Sequence, residues 1–361
     1  MRASLVAAAR RTHGFPDSAG AVHVLAMMDL QQRATADTQG VASPEPGIIR
    51  RMQVPGWPHL YVLGCFENRV TFYNQQVRAL NLIHAIRNLP LPRPAKIAVI
   101  GAGAGGLTAA AAAAIWDRRS GRSRDWEVMV LDDRPDLLAL IGHGSARWLH
   151  PHIYDWPAKG STESGAGLCI MDWETGTAGT VIDGLRPHWE RIAREYGIDC
   201  NLGISDLQIE RLEGSGRYAL RWYHDPQHGQ PFDVVILAVG FGTEEKSNNF
   251  AQRTSYWAAD NLERDETARP GFRKKVLVSG TGDGGLIDIL RLSFRRFRHD
   301  MVLQQLEEWL DRGGLLEWVK SEIKRIEHDA ENLKPVPDSQ YETILHDEYQ
   351  ELARRIEGKA G

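Results

Sequence analysis

Cysteine is scarce: the 361-residue sequence has 3, Cys65, Cys169 and Cys200, far apart from one another. That spacing excludes a disulfide framework, a CxxC redox pair and a cysteine-rich zinc site, and it sets the expectation of a reducing, cytoplasmic compartment. Long hydrophobic runs are missing too. The longest, Ala109 to Ile115, falls far short of the roughly 20 apolar residues that span a bilayer, so no membrane partner is expected. The short apolar run Leu5 to Ala9 is followed by Arg10 and Arg11, basic residues on the wrong side for a secretory signal, which makes an unstructured leader the expectation. Excess charge is also lacking: 43 Lys+Arg stand against 47 Asp+Glu, a formal −4, which removes the electrostatic case for a nucleic-acid partner. No GxSxG elbow occurs, so a Ser/His/Asp triad has no starting point.

What is present is apolar material for a large core, 42% hydrophobic residues with 25% charged. The length predicts two domains, or one large domain with an insertion. Residues 1–55 read as a loosely ordered lead-in rich in Gly and Pro, and 56–95 as a strand (Leu60 to Leu63) and a helix (Val70 to Leu89) stopped by Pro90, Pro92 and Pro94. Residues 96–270 read as a dinucleotide-binding Rossmann-type domain with an inserted meander, and 271–361 as a second glycine-turn βα segment with a charged helical tail. The expected class is α/β, a Rossmann-type parallel sheet with helices on both faces and an inserted antiparallel β-meander.

The central unit is local. Lys96 to Ile100 is a short β-branched run that predicts a buried parallel strand; it runs into Gly101-Ala102-Gly103-Ala104-Gly105-Gly106 and then into an alanine-dominated helix, Leu107 to Trp116. A second strand, Trp126 to Leu131, ends at Asp132-Asp133. Each glycine has a task in such a unit. Gly101 allows the tight turn, Gly103 lets the backbone approach a pyrophosphate, and Gly106 lets helix and strand pack closely. The helix offers free N–H groups and the positive end of its dipole to phosphates. Asp132 stands where a carboxylate accepts both hydroxyls of an adenosine ribose, which disfavours a 2′-phosphate and points to FAD or NAD rather than NADP. Further on, Ile182 to Tyr196 reads as a helix, Asp199 to Leu202 as a strand, Leu207 to Leu212 and Tyr218 to Tyr223 as an antiparallel pair, and Asp233 to Val239 as a buried strand closed by Gly240. Lys275 to Ser279 reads as another buried strand, followed by the turn Gly280 to Gly285 and the helix Leu286 to Phe297.

The run Val99 to Ala110 resembles the FAD-binding turn of the FAD-dependent oxidoreductase superfamily, which includes glutathione-reductase-like, flavin-monooxygenase-like and amine-oxidase-like members. Val130-Leu131-Asp132 is similar to that superfamily's second strand, where glutamate is commoner, and Phe232 to Gly240 resembles its later Ala-Thr-Gly strand, with Val239 where Thr is usual. The resemblance implies FAD held at Gly101, Ala102, Gly103, Ala104, Gly105, Gly106 and Asp132, with Gly240 nearby and Arg147 as the guanidinium next to the pyrophosphate. It implies a flavin-dependent oxidoreductase passing hydride through the flavin between a small-molecule substrate or NAD(P)H and an acceptor.

The second turn is open to three readings. Gly280, Gly282 and Gly285 can begin a nicotinamide-nucleotide domain, with Gly280-Thr281-Gly282-Asp283 similar to a thioredoxin-reductase-like turn. Gly282-Asp283 can instead be the superfamily's late Gly-Asp pair on the flavin ribityl chain, or the turn can be motif I of a methyltransferase using S-adenosylmethionine. After an inserted nucleotide domain the superfamily's chain returns to finish the FAD domain, and Met301 to Gly361 carry no clear return. A non-catalytic dinucleotide sensor is the other functional reading. His150, His152 and Tyr154 lie in an aromatic-rich loop and are the candidates for acid–base work, imidazole titrating near neutral pH. The i, i+2 spacing of His150 and His152 fits one face of a strand, but no third ligand accompanies them and no metal is expected. Arg69, Tyr73, Gln75, Gln76, Arg78 and Asn81 read as a solvated helix face or as a docking surface for the cofactor domain.

Overall fold

The computed structural model describes residues 44–64, 70–119, 126–142, 145–223, 229–240, 256–257, 262, 276–278, 283–293, 297–332 and 338–360. They divide into two compact units, one formed by residues up to 151 and 165–259, the other by 152–164 and 260–361.

The first unit is built on a parallel sheet of five strands: β1 (Leu60–Val62), β2 (Ala95–Ile100), β3 (Trp126–Asp132), β6 (Asp199–Leu202) and β10 (Val234–Leu237), in the order β1-β10-β2-β3-β6. Two short strands, β4 (Trp148–Leu149) and β5 (Gly176–Thr177), pair antiparallel beside it. A meander of β7 (Gln208–Arg211), β8 (Tyr218–Arg221) and β9 (Pro231–Phe232) completes the strands. The helices are α1 (Pro44–Met52), α2 (Phe72–Ile86), α3 (Ala104–Arg119) and α4 (Ala178–Tyr196). Residues 44–52, inside the expected lead-in, are thus helical, with Ile48, Ile49 and Met52 packed on the core.

Alternation along the central strands sorts side chains to two faces. Tyr61, Ile97, Val99, Val128, Val130, Val234 and Ile236 meet α2, α3 and α4 in one cluster. Leu60, Val62, Ala98, Ile100, Met129, Leu131, Val235 and Leu237 meet Tyr218, Leu220, Trp222 and Phe232 of the meander in the other. The described helices of this unit therefore share one face, and the meander buries the second. Helix α3 presents Ala109 to Ala113 fully buried, side chains small enough for the helix axis to lie close over the sheet. Thr71 caps α2 by accepting from the Asn74 N–H at 3.0 Å, and Gly197, with φ +65°, ends α4 in the left-handed conformation.

The sheet is finished from the N-terminal side. β1 pairs in parallel with β10 (Tyr61 opposite Ile236), and β10 with β2 (Ile236 opposite Val99). No returning strand after Met301 is needed for these five.

The second unit is helical: α5 (Asp283–Ser293), α6 (Val302–Arg312), α7 (Leu316–Asn332) and α8 (Asp338–Ala360), with a short 3-10 turn at Ile153–Asp155. Its core gathers Leu310, Leu315 and Val319 with Trp156, Trp318, Ile323 and Ile356. Helices α7 and α8 run antiparallel, with Arg355 to Glu322 at 2.9 Å and Arg325 to Glu348 at 3.2 Å. Trp156 Nε1 donates to Glu307, which also pairs with Lys320; both contacts hold the Glu307 carboxyl below its usual range. The buried strand expected over Lys275 to Ser279 is not found at its described residues, 276–278. They join no sheet, and Leu277 is 81% exposed. A hydrophobic run becomes a parallel strand only against a hydrogen-bonded neighbour, and none is paired with this one. Helix α5 also begins at Asp283, three residues earlier than expected, inside the glycine cluster.

Candidate dinucleotide site

The carboxyl ends of the parallel strands share one edge of the sheet. From β2 the chain proceeds outward to β3 and β6, while β10 and β1 lie on the other side, so the order reverses between β2 and β10. Ligands of open parallel sheets bind at such a switch point. Gly101 leaves β2 there, next to Ala238 and Gly240 at the end of β10.

Three glycines of the turn are explained by packing. Gly101 has φ +114°, and a Cβ on it would lie 2.3 Å from the Ala238 carbonyl oxygen. A Cβ on Gly106 would lie 1.9 Å from the Gly101 carbonyl oxygen, and one on Gly105 would lie 2.7 Å from Leu63 Cδ2. No side chain fits at the first two without moving backbone. Gly103 is different. It is exposed, and a Cβ there would meet no atom of the described residues within 4 Å. None of the described residues requires glycine at this position; the close approach of a pyrophosphate to the backbone would.

The donors are in place. The Leu107 N–H bonds to the Gly103 carbonyl at 2.9 Å, so the N–H groups of Ala104, Gly105 and Gly106 precede the first helical bond and have no acceptor within the helix. They point, with the positive end of the α3 dipole, past the open backbone at Gly103. Helix α4 shows the contrast: its first N–H groups are taken by the backbone of residues 145–147, Ala178 to the Arg147 carbonyl at 2.6 Å and Gly179 to the Ser145 carbonyl at 3.0 Å.

Asp132, at the end of β3, accepts from the Ala102 N–H through Oδ2 at 2.5 Å and from the Arg134 N–H through Oδ1 at 2.8 Å. Burial pushes its carboxyl above the usual carboxylate range, the two backbone donors pull it back, and neighbouring Asp133 pushes it up again. A carboxylate offers about four lone-pair directions; two are used by backbone, which leaves acceptors for ribose hydroxyls. The residues present therefore fit an adenine dinucleotide with a free 2′-hydroxyl. Gly240, with φ +59°, ends the described part of this segment, and no described residue lies within 4 Å of a Cβ built on it.

Other expected site residues lie elsewhere or outside the described residues. Arg147 is 7% exposed; its Nε donates to the Tyr256 carbonyl at 2.8 Å and its guanidinium stacks 4.1 Å from the Tyr256 ring centroid. His150 belongs to the first unit, His152 and Tyr154 to the second. The two histidines do not share a strand face: β4 ends at Leu149, Pro151 follows, and a 3-10 turn starts at Ile153. Among the described residues no group of three His, Cys, Asp or Glu side chains is placed to hold a metal. Gly280 and Gly282 lie outside the described residues, as do Cys65 and Arg69. Asp283 opens α5 and Gly285 lies within it, without a strand at 276–278 to make the turn a nucleotide motif.

Two features had no recognised signal in the sequence. Gln76, expected on a solvated or docking face, is fully buried between helices: its Nε2 donates to Thr108 Oγ1 at 3.2 Å and to the Met171 carbonyl at 2.9 Å, and its Oε1 accepts from Trp173 Nε1 at 2.7 Å. All its main valences are satisfied, which ties α2 to the body of α3. The second is the segment after Asp132, where Leu138 takes a left-handed φ of +55° and donates its N–H to the Ala102 carbonyl at 3.0 Å.

No protein-family model matches the sequence, and no curated protein matches it. Among solved structures, a water-forming NADH oxidase from Lactobacillus brevis bound to NADH is 15% identical over 51% of this chain and 26% of its own, with a TM-score of 0.26. A polycyclic ketone monooxygenase from the thermophilic fungus Thermothelomyces thermophila is 19% identical over 60% of this chain and 33% of its own, with a TM-score of 0.26. FqzB in its native form is 23% identical over 42% of this chain and 37% of its own, with a TM-score of 0.23. The chain thus spans well under half the length of each.

Proposed function

We propose that this chain is a flavin-dependent oxidoreductase that binds FAD at the carboxyl edge of its parallel sheet. The observation that carries the proposal is Gly103, a glycine that neither its backbone conformation nor any described neighbour requires, set among N–H groups at the start of α3 that make no helical bond. In this assignment the N–H groups of Ala104 to Gly106 bind the pyrophosphate, Asp132 accepts the adenosine ribose hydroxyls, and the backbone at Gly240 allows the rest of the dinucleotide to pass the β10 end. The hydrogen bonds from Ala102 and Arg134 fix the orientation of the Asp132 carboxylate. When bound, FAD supplies two-electron chemistry at its ring system, and the protein supplies binding, orientation and exclusion of water. NAD(P)H or a small-molecule substrate is the proposed electron source.

The purified protein tests this directly. It should carry visible flavin absorbance or acquire it on addition of FAD, and anaerobic NADH or NADPH should bleach that absorbance if a nicotinamide nucleotide is the donor. A protein that stays colourless with added FAD while retaining NADH would be a dinucleotide sensor and would refute the flavoprotein assignment.

A further inference from the structure

We propose that Arg186, on α4, is a positioning residue for the dinucleotide site: it holds the segment after β3, and that segment holds the Ala102 peptide at the centre of the phosphate-binding turn. The proposal rests on the assignment of Gly101 to Gly106 as the pyrophosphate site.

Ala102 is gripped on both sides by one stretch of chain. Its N–H donates to Asp132 Oδ2, and its carbonyl accepts from the Leu138 N–H at 3.0 Å. With both groups engaged, the peptide planes flanking Ala102, the second of which leads into Gly103, lose their freedom to rotate, and a turn held in this way gives up less ordering entropy when an anion arrives. The stretch that grips is itself under strain. Leu138 is a non-glycine residue at φ +55°, a left-handed conformation that L side chains disfavour and that persists only where surroundings enforce it.

Two things enforce it. The side chains of Leu137 and Leu138 are buried, 6% and 3% exposed. Arg186 supplies the rest: its Nη2 donates to the Leu137 carbonyl at 2.8 Å and its Nη1 pairs with Asp136 Oδ1. One planar guanidinium thus fastens two consecutive residues immediately before Leu138, a geometry that a lysine ammonium does not reproduce. Arg186 side-chain exposure is 19%, so the pair is shielded in part from water and salt.

The test combines hydrogen exchange with binding. In the ligand-free protein, Arg186→Ala should speed amide exchange in the peptide spanning 101–106 while leaving β10 unchanged. FAD affinity should fall roughly ten- to hundredfold, the range seen when residues that orient a binding group are removed, and added guanidinium ion should restore part of it. Arg186→Lys should fall between wild type and Arg186→Ala. Asp136→Asn, which keeps the bond to the Leu137 carbonyl, gives a milder loss and serves if Arg186→Ala does not fold. Unchanged exchange at 101–106 together with wild-type affinity in Arg186→Ala and Asp136→Asn overturns the positioning role and leaves the FAD assignment standing. Faster exchange in a protein whose wild type binds no FAD upholds the positioning role and sinks the FAD assignment.

Discussion

Tyr61 and His59, two residues apart, show how a single group sets a local balance at the start of β1. The Tyr61 ring is fully buried in the main core, and its hydroxyl has no hydrogen-bond partner among the described residues. Burial drives its ionisation well above the usual tyrosine range. An unsatisfied buried hydroxyl carries a desolvation penalty, so Tyr61→Phe is expected to stabilise the protein by about 1 kcal/mol. Urea denaturation checks this, and a loss of stability would show that the hydroxyl is satisfied in solution. His59 sits at φ +62° with its imidazole pushed below the usual value of 6.5 by burial, an effect that Asp233 partly opposes. The folded protein therefore resists the proton that the unfolded chain accepts. Stability from this group is complete above the unfolded value of 6.5 and is lost as pH falls from there to the lower folded pKa. His59→Asn keeps a residue that tolerates left-handed backbone and should flatten the fall in stability below neutral pH. Equal slopes in the two proteins would contradict the assignment.

At the scale of the element, α3 is the piece on which the site depends. Its alanines place the helix start against the end of β2, and Gly106 permits backbone to approach backbone. Ala111 is fully buried, so Ala111→Leu should cost about 1–3 kcal/mol by overpacking and should weaken dinucleotide binding through displacement of the helix start. A shift in melting temperature with affinity untouched would mean that the turn is anchored independently of the helix body. This βαβ unit was legible in the sequence because strand, turn, helix and acid are consecutive and each names its own conformation. The second glycine cluster has the same letters without the same neighbours. Val276 to Val278 found no strand partner, and periodicity cannot say that a hydrophobic run will lack one. The loop 133–141 was opaque for a different reason: leucine does not announce a left-handed conformation, and Leu138 adopts it only because Arg186 and the core hold the chain there.

In the whole molecule, the parallel sheet draws its edge strand β1 from before the glycine turn. β1 was recognisable as a strand, but its pairing with β10 joins Tyr61 to Ile236 across a sequence distance over which no local pattern specifies register. A chain that begins at Leu91, lacking β1 and α2, should therefore lose cooperative unfolding and expose apolar surface to a hydrophobic dye, because β10 and the outer face of α3 would be uncovered. A truncated chain that still unfolds cooperatively would show that the domain starts at β2. None of the described helices is long and apolar enough to cross a membrane. The central claim concerns one position in the first unit, and an equilibrium titration of FAD into wild-type protein and Gly103→Leu, with thermal unfolding measured on both, tests it most directly. The account predicts FAD binding by the wild type, loss of that binding in Gly103→Leu, and the same melting temperature for both ligand-free proteins, since a Cβ at Gly103 meets no atom of the described residues within 4 Å. Gly103→Leu binding FAD as tightly as the wild type would contradict it.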